Sequence, residues 1–272
     1  MMLIDETKAL QICEDILLEK KARNIQAHIL PSENTIIDRL LERNGELRDV
    51  YSELYSKLGK DFLALTRILE LIVEITSSHN PDEVMKSRSA QKQLNAVNQQ
   101  TAIKAHELAD LLELRSELIN TSDFKTPTHY HIGNVIREAS QSNPYFKSHL
   151  QAELKLLQGR FDFKYWPQLH ELIRVIAEDA RIALPTAIDS VTEAATSGER
   201  ASLADYFRAL FEAIECNRQN EYGFLPNDFK LTDSSIATLA NCALALEPEE
   251  MIDGPYVKNF RSHERKRLSS GF

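Results

Sequence analysis

Chain breakers are scarce in this sequence. Its 272 residues include 8 glycines and 9 prolines, too few for a fold assembled from many tight turns. Leu, Ala, Glu, Lys, Gln and Arg are abundant instead, and these side chains lose little freedom on entering a helix. The repeated β-branched runs that a buried sheet needs are missing, so helices are expected throughout. Cysteine is also rare. Cys13, Cys216 and Cys242 are odd in number, lie far apart and form no C-x-x-C pair, which excludes a zinc ribbon or a disulfide framework and fits a reducing, cytoplasmic compartment. No run of about 18 apolar residues exists to span a bilayer. The opening MMLIDETKALQICEDILLEKK mixes apolar and charged positions at helical spacing, unlike a secretory leader. Nucleophile elbows, glycine-rich phosphate loops and H-E-x-x-H are all missing, so an enzyme of a common class is not expected, and neither is a cofactor or metal.

Apolar residues are plentiful. Hydrophobic residues make up 43% and charged residues 27%, enough to exclude wholesale disorder and to build a core. The net charge of −9 is uneven: residues 1–120 hold 15 basic and 20 acidic side chains, residues 121–257 hold 12 and 20, and residues 258–272 hold 5 and 1. An acidic body carrying a basic tail repels nucleic acid in general and attracts it locally.

Periodicity supplies the fold expectation. A first helix is expected over about residues 5–28, stopped at Leu30-Pro31 because proline disfavours helix in the residue before it, with Ser32 or Asn34 capping the next. Between Ile36 and Ile75, apolar side chains recur mostly at steps of three and four: Ile37, Leu40, Leu47, Tyr51, Leu54, Leu58, Phe62, Leu65, Leu69 and Ile72. Read as one helix, interrupted at most near Gly45, this is a rod of roughly 60 Å. Its seam needs a partner. Ser78-His79-Asn80-Pro81-Asp82-Glu83 is a strong helix start for a second long helix to about Ile119, with Leu94, Val97, Leu108, Leu111 or Leu112, and Leu118 as seam candidates and Asn95 or Asn98 as register-setting polar positions.

The expected fold is therefore all-α. A long antiparallel helical hairpin, or coiled-coil-like bundle, fills residues 1–120; a compact multi-helix domain fills 121–257; a basic helical tail fills 258–272. The linker is placed at Asn120–Pro127. Shorter helices are expected at 127–141, 144–158, 167–183, 186–196, 201–219, 233–246 and 255–268, with Thr232 or Asp233 capping the sixth and Gly254-Pro255 opening the last. Phe161–Tyr165 alternates like a short strand.

Three groups of residues could carry chemistry. His129 and His131 bracket Tyr130; on a loop they could chelate a metal, whereas on a helix they point about 200° apart and could not. His170 and Glu171 share a helix with Arg174, Glu178 and Asp179, where a favourable Glu171–Arg174 pair explains the spacing without a metal. The tail is the sharpest candidate: Lys258, Arg261 and Arg265 form one helical stripe beside Lys266 and Arg267, suited to phosphates or an acidic partner or to the negative end of the helix dipole. Tyr256, Val257 and Phe260 are positioned to anchor the opposite side. The leading functional expectation is an oligomerising protein–protein interaction protein (adaptor, scaffold or regulator) without catalysis of its own, using the Leu47–Ile72 seam. The alternatives are a nucleic-acid-associated regulator using residues 258–272 and a helical enzyme using the histidines.

Overall fold

A computed structural model describes residues 6–129, 131–198, 202–219 and 223–269. Among them, every regular element is helical, with no strand, as the composition requires. The chain forms two compact units, one from residues 1–89 and 186–272 and the other from residues 90–185. The division therefore falls inside the second long helix and not at the 120–127 linker.

The first unit holds the core. Its helices are α1 (Glu6–Ala27), α2 (Pro31–Glu42), α3 (Asn44–Leu58), α4 (Phe62–Ser78), the start of α5 (Pro81–Thr121), α9 (Ser190–Thr196), α10 (Leu203–Gln219), α11 (Asp233–Ala243) and α12 (Gly254–Ser269). The Ile36–Ile75 pattern is thus three helices, not one rod. Arg43 ends the first of them, where its guanidinium reaches the Asn241 carbonyl at 2.8 Å and brackets Glu46. With Arg39 on the Ala243 carbonyl, it satisfies the last carbonyls of α11, which a helix leaves without partners. The second break lies at Gly59–Asp61. A Cβ on Gly59 would stand 2.5 Å from the Tyr55 carbonyl oxygen, so only glycine fits the close approach. Asp61 then caps α4 by accepting from the Ala64 N–H at 3.1 Å.

These two breaks reverse the fate of the seam. Leu47, Tyr51, Leu54, Leu58, Leu65, Leu69 and Ile72 are all buried, under α1, α10 and α11 packed on α3 and α4. Only Phe62, at the start of α4, is exposed. The residues expected to seat a partner are occupied by their own chain. Helix α11 is central: it packs on α2, α3, α4 and α12, and its small side chains Ser235, Ala237, Ala240 and Ala243 are buried, which lets its neighbours approach closely.

Several helix starts match the expected signals. Asn80 caps α5, its Oδ1 accepting from the backbone of Asp82 and Glu83 at 3.1 Å each, and Thr232 caps α11. The second start differs. Helix α2 begins at Pro31 itself, after Leu30 in the left-handed region (φ 49°) and without a side-chain cap. Proline suits the first helical position because the N–H it lacks would be unpaired there.

The α11 N-terminus is held by a carboxylate from α3. Glu53 accepts from the Thr232 N–H at 2.9 Å, from the Thr232 hydroxyl at 2.8 Å and from the Ser235 hydroxyl, and pairs with Lys57 at 2.7 Å. Burial alone raises the carboxyl's pKa, but the hydrogen bonds from Lys57, Ser235 and Thr232 outweigh it and hold the group below the usual carboxylate range. A depressed folded-state pKa means that this contribution is complete above about pH 4.3, the unfolded value, and is lost as pH falls through the folded value. Glu53→Gln is accordingly expected to cost stability near neutral pH and to approach the parent as the pH drops below about 4, in denaturant titrations followed by circular dichroism. Parallel curves at all pH values would refute the assignment.

The second unit contains the rest of α5, α6 (Ile132–Ala139), a π-helical turn at Phe146–Leu150 leading into α7 (Gln151–Arg160), a 3-10 turn at Phe163–Tyr165 within the segment that alternates like a short strand, and α8 (Leu169–Ile182). Its core is slight. Among the described residues, its only buried apolar side chains are Ala102, Ala109, Phe146, Ala177 and Ala180. Of these, only Phe146 is larger than alanine. Among the described residues, no helix is long and apolar enough to cross a membrane.

Candidate interaction surface

Helix α5 decides what the second unit can do. At about 100° per residue, the part of this helix beyond Ser89 divides into two opposite arcs. On the inner arc lie Asn95, Asn98, Ala102, Ala105, Ala109, Leu112, Ser116 and Ile119, all buried or half-buried. Most of them are small or polar. Asn98 donates to the Ala183 carbonyl at 3.2 Å, so the polar position does fall in a contact, but one made with the chain's own segment after α8. Arg174 of α8 reaches back to Asp110 at 3.0 Å and Glu113 at 2.5 Å on α5, rather than forming the expected pair with Glu171.

The outer arc carries most of the larger apolar side chains, and these are exposed: Val97, Ile103, Leu108, Leu111, Leu114 and Leu118. Leu111 is 64% and Ile103 59% accessible. This inverts the usual amphipathic arrangement, in which the apolar stripe faces the chain's own core. Single exposed leucines are ordinary, but a stripe of such residues sustained over about six turns is not. Lys104 and Glu107 lie exposed within the same arc, and among the described residues neither forms an ion pair.

Of the chemically suggestive residues, His131 and Glu171 make local structural contacts. His131 caps α6: its Nδ1 accepts from the Gly133 N–H at 2.9 Å and meets the Gln158 amide at 3.2 Å, while its ring packs on Trp166 and Phe163 at centroid distances of 4.8 and 5.7 Å. His129 is exposed, and Tyr130 lies outside the described residues. Glu171 caps α8 by accepting from the Gln168 N–H at 2.7 Å; His170 is half-buried in the first turn. Among the described residues, no group of three or more His, Cys, Asp or Glu is placed to hold a metal ion. Burial pushes the Cys13 thiol up to about 12 and the Cys242 thiol up to about 11, so neither supplies thiolate near neutral pH.

The basic tail folds onto the first unit. Val257 of α12 is fully buried, and Phe260 packs on Phe207 and Phe211 at 5.6 and 6.0 Å. Arg261 stacks over Phe211 at 4.5 Å and pairs with Asp233 at 2.9 Å. Burial draws the Arg261 guanidinium below its ordinary value, and Asp233 opposes that shift. Arg267 pairs with Glu264 at 3.0 Å. Arg261, Arg265 and Arg267 line a cleft of about 810 Å³ between α9, α10 and α12 with Phe211, Phe229 and Phe260 among its walls, while Lys258, Arg265 and Lys266 are exposed. Residues 270–272 of the tail lie outside the described residues.

No family model, curated protein or solved structure matches this chain. The functional reading therefore rests on the outer arc of α5 and the charges around it.

Proposed function

We propose that this chain is an oligomerising protein–protein interaction protein of the adaptor, scaffold or regulatory kind, not a catalyst, and that it binds through the outer arc of α5. One observation carries the reading: between Val97 and Leu118 six large apolar residues of α5 are exposed, while Ala102, Ala105 and Ala109 face inward. A unit with so few buried apolar side chains gains little from its own core, and covering the outer stripe would supply what is missing. The binding surface thus moves from the Leu47–Ile72 seam, now interior, to Val97–Leu118. Contact with phosphates through α12 is less well supported, since Arg261 and Arg267 are engaged by Asp233 and Glu264.

Replacing Leu111, Leu114 and Leu118 together by glutamine tests the reading. These side chains are exposed, so helix content by circular dichroism should stay at the parent level. The mass by size-exclusion chromatography with light scattering should fall from that of a complex to that of the single chain. A variant that assembles as the parent does would overturn the proposal.

A further inference from the structure

Resting on that reading, we propose that the occupant of the outer arc is a second copy of this chain, its α5 running antiparallel about a two-fold axis that passes between Ala105 and His106. The arc is complementary to itself about that point in its charged pair and in part of its apolar residues, with Leu111 and Leu118 falling opposite Gln100 and Gln93. Such an axis sets Val97 of each copy opposite Leu114 of the other, Ile103 opposite Leu108, and Lys104 opposite Glu107. Each contact then occurs twice, as an isologous interface demands.

Charge fixes the direction. Lys104 and Glu107 are exposed inside the arc, three residues apart on either side of the axis, and neither is engaged by an ion pair among the described residues. A parallel, in-register pair would set Lys104 against Lys104, Glu107 against Glu107 and Arg115 against Arg115, stacking like charges along the seam. The antiparallel pair converts the first two clashes into two reciprocal Lys–Glu contacts and sets Arg115 opposite Ala96. Asp110 and Glu113, which would otherwise add negative charge nearby, are already engaged by Arg174. A charged pair inside a helix–helix seam specifies register and orientation more than it adds affinity.

The size is adequate. From Val97 to Leu118 the stripe runs about 32 Å along the helix. Its apolar side chains expose on the order of 600 Å², against the roughly 800 Å² per partner of a stable interface. The inner-arc packing is left in place, because the covered residues lie on the opposite side of α5.

The experiment uses full-length chains carrying Lys104→Glu, Glu107→Lys, both changes, or neither, read by light scattering and, for mixtures of differently tagged chains, by native mass spectrometry. The parent and the doubly reversed chain should both be dimers. Each single reversal sets like charges together at two places and should weaken dimerisation about tenfold or more. An equimolar mixture of the two single variants should recover the dimer as a mixed species. One variant then carries acids at both positions 104 and 107 and the other carries lysines at both, so each of the two reciprocal contacts pairs opposite charges. A parent chain that is monomeric at about 50 μM, single variants that dimerise as the parent does, or a mixture that stays monomeric would each overturn the pairing. A dimer dispersed by the three leucine substitutions but indifferent to the charge reversals keeps the proposed function and sinks this geometry. A dimer indifferent to the leucines sinks both.

Discussion

Asp205→Ala is expected to lower the stability of the first unit by about 3–5 kcal/mol, the range for removing one partner of a buried ion pair. The side chain at the start of α10 is 0% exposed. Its Oδ1 accepts from Arg208 at 2.7 Å and from Arg88 at 2.9 Å, and its Oδ2 accepts from the Ser202 N–H at 2.9 Å. Without it, two largely buried guanidiniums face each other with no carboxylate between them. Arg208 keeps Glu264 at 2.9 Å, but among the described residues Arg88 keeps only the Ala195 carbonyl at 3.3 Å. The site is tight as well as charged, because a Cβ on Gly198 would lie 2.6 Å from the Arg208 Nη1 and 2.9 Å from the Asp205 Oδ1. Asp205→Asn, which preserves shape and part of the hydrogen bonding, should cost less than alanine. Urea unfolding followed by circular dichroism measures both, and an alanine variant within about 1 kcal/mol of the parent would show that the cluster is not holding the helices together.

A loss of similar size is expected for Lys20→Ala. Lys20 is buried in α1 and its ammonium lies 3.2 Å from Glu33 of α2 and 3.3 Å from Glu74 of α4. Asn24 donates to the same Glu33 carboxylate at 3.2 Å, and Arg67 holds Glu74 at 3.0 Å while reaching Asn217 of α10 at 3.0 Å. Removing the lysine leaves the buried Glu33 carboxylate with the Asn24 amide and no cation among the described residues. The cost of such an uncompensated buried charge is again about 3–5 kcal/mol. Replacing both charges, as Lys20→Met with Glu33→Gln, should recover most of that loss, since a neutral pair needs no desolvation of ions and glutamine can keep the Asn24 bond. A double variant as unstable as the single would place the cost in packing, not in charge; the four-chain thermodynamic cycle separates the two.

Neither cluster announces itself in the sequence. Lys20, Glu33 and Glu74 lie far apart along the chain on helices whose mutual packing no local pattern encodes, and Asp205 meets Arg88 across 117 positions. The helix signals were legible because they are local. Asn80-Pro81, Thr232 and Gly254-Pro255 each mark a start through groups within one turn of themselves. The scarcity of glycine and proline and the absence of β-branched runs were enough to indicate helices.

The site was half legible. Val97, Leu108, Leu111 and Leu118 stand out by spacing as one helical stripe, and the short step from α4 to α5 marked where the long helix begins. Which stripe would be covered was not legible. Two apolar stripes compete for a limited set of partner helices, and the winner depends on where the chain turns. Gly59 and the Arg43–Asn241 contact turn the Ile36–Ile75 stretch back on itself, so α1, α10 and α11 close over it.

By itself, then, the amino-acid order determined the all-helical class, most helix starts and the existence of two apolar stripes, because these depend on propensities and bonds spanning a few residues. Tertiary structure alone decided that the first stripe is core and the second is surface. Burial is a property of the whole packing: a leucine is covered only if another part of the chain, or another molecule, arrives to cover it.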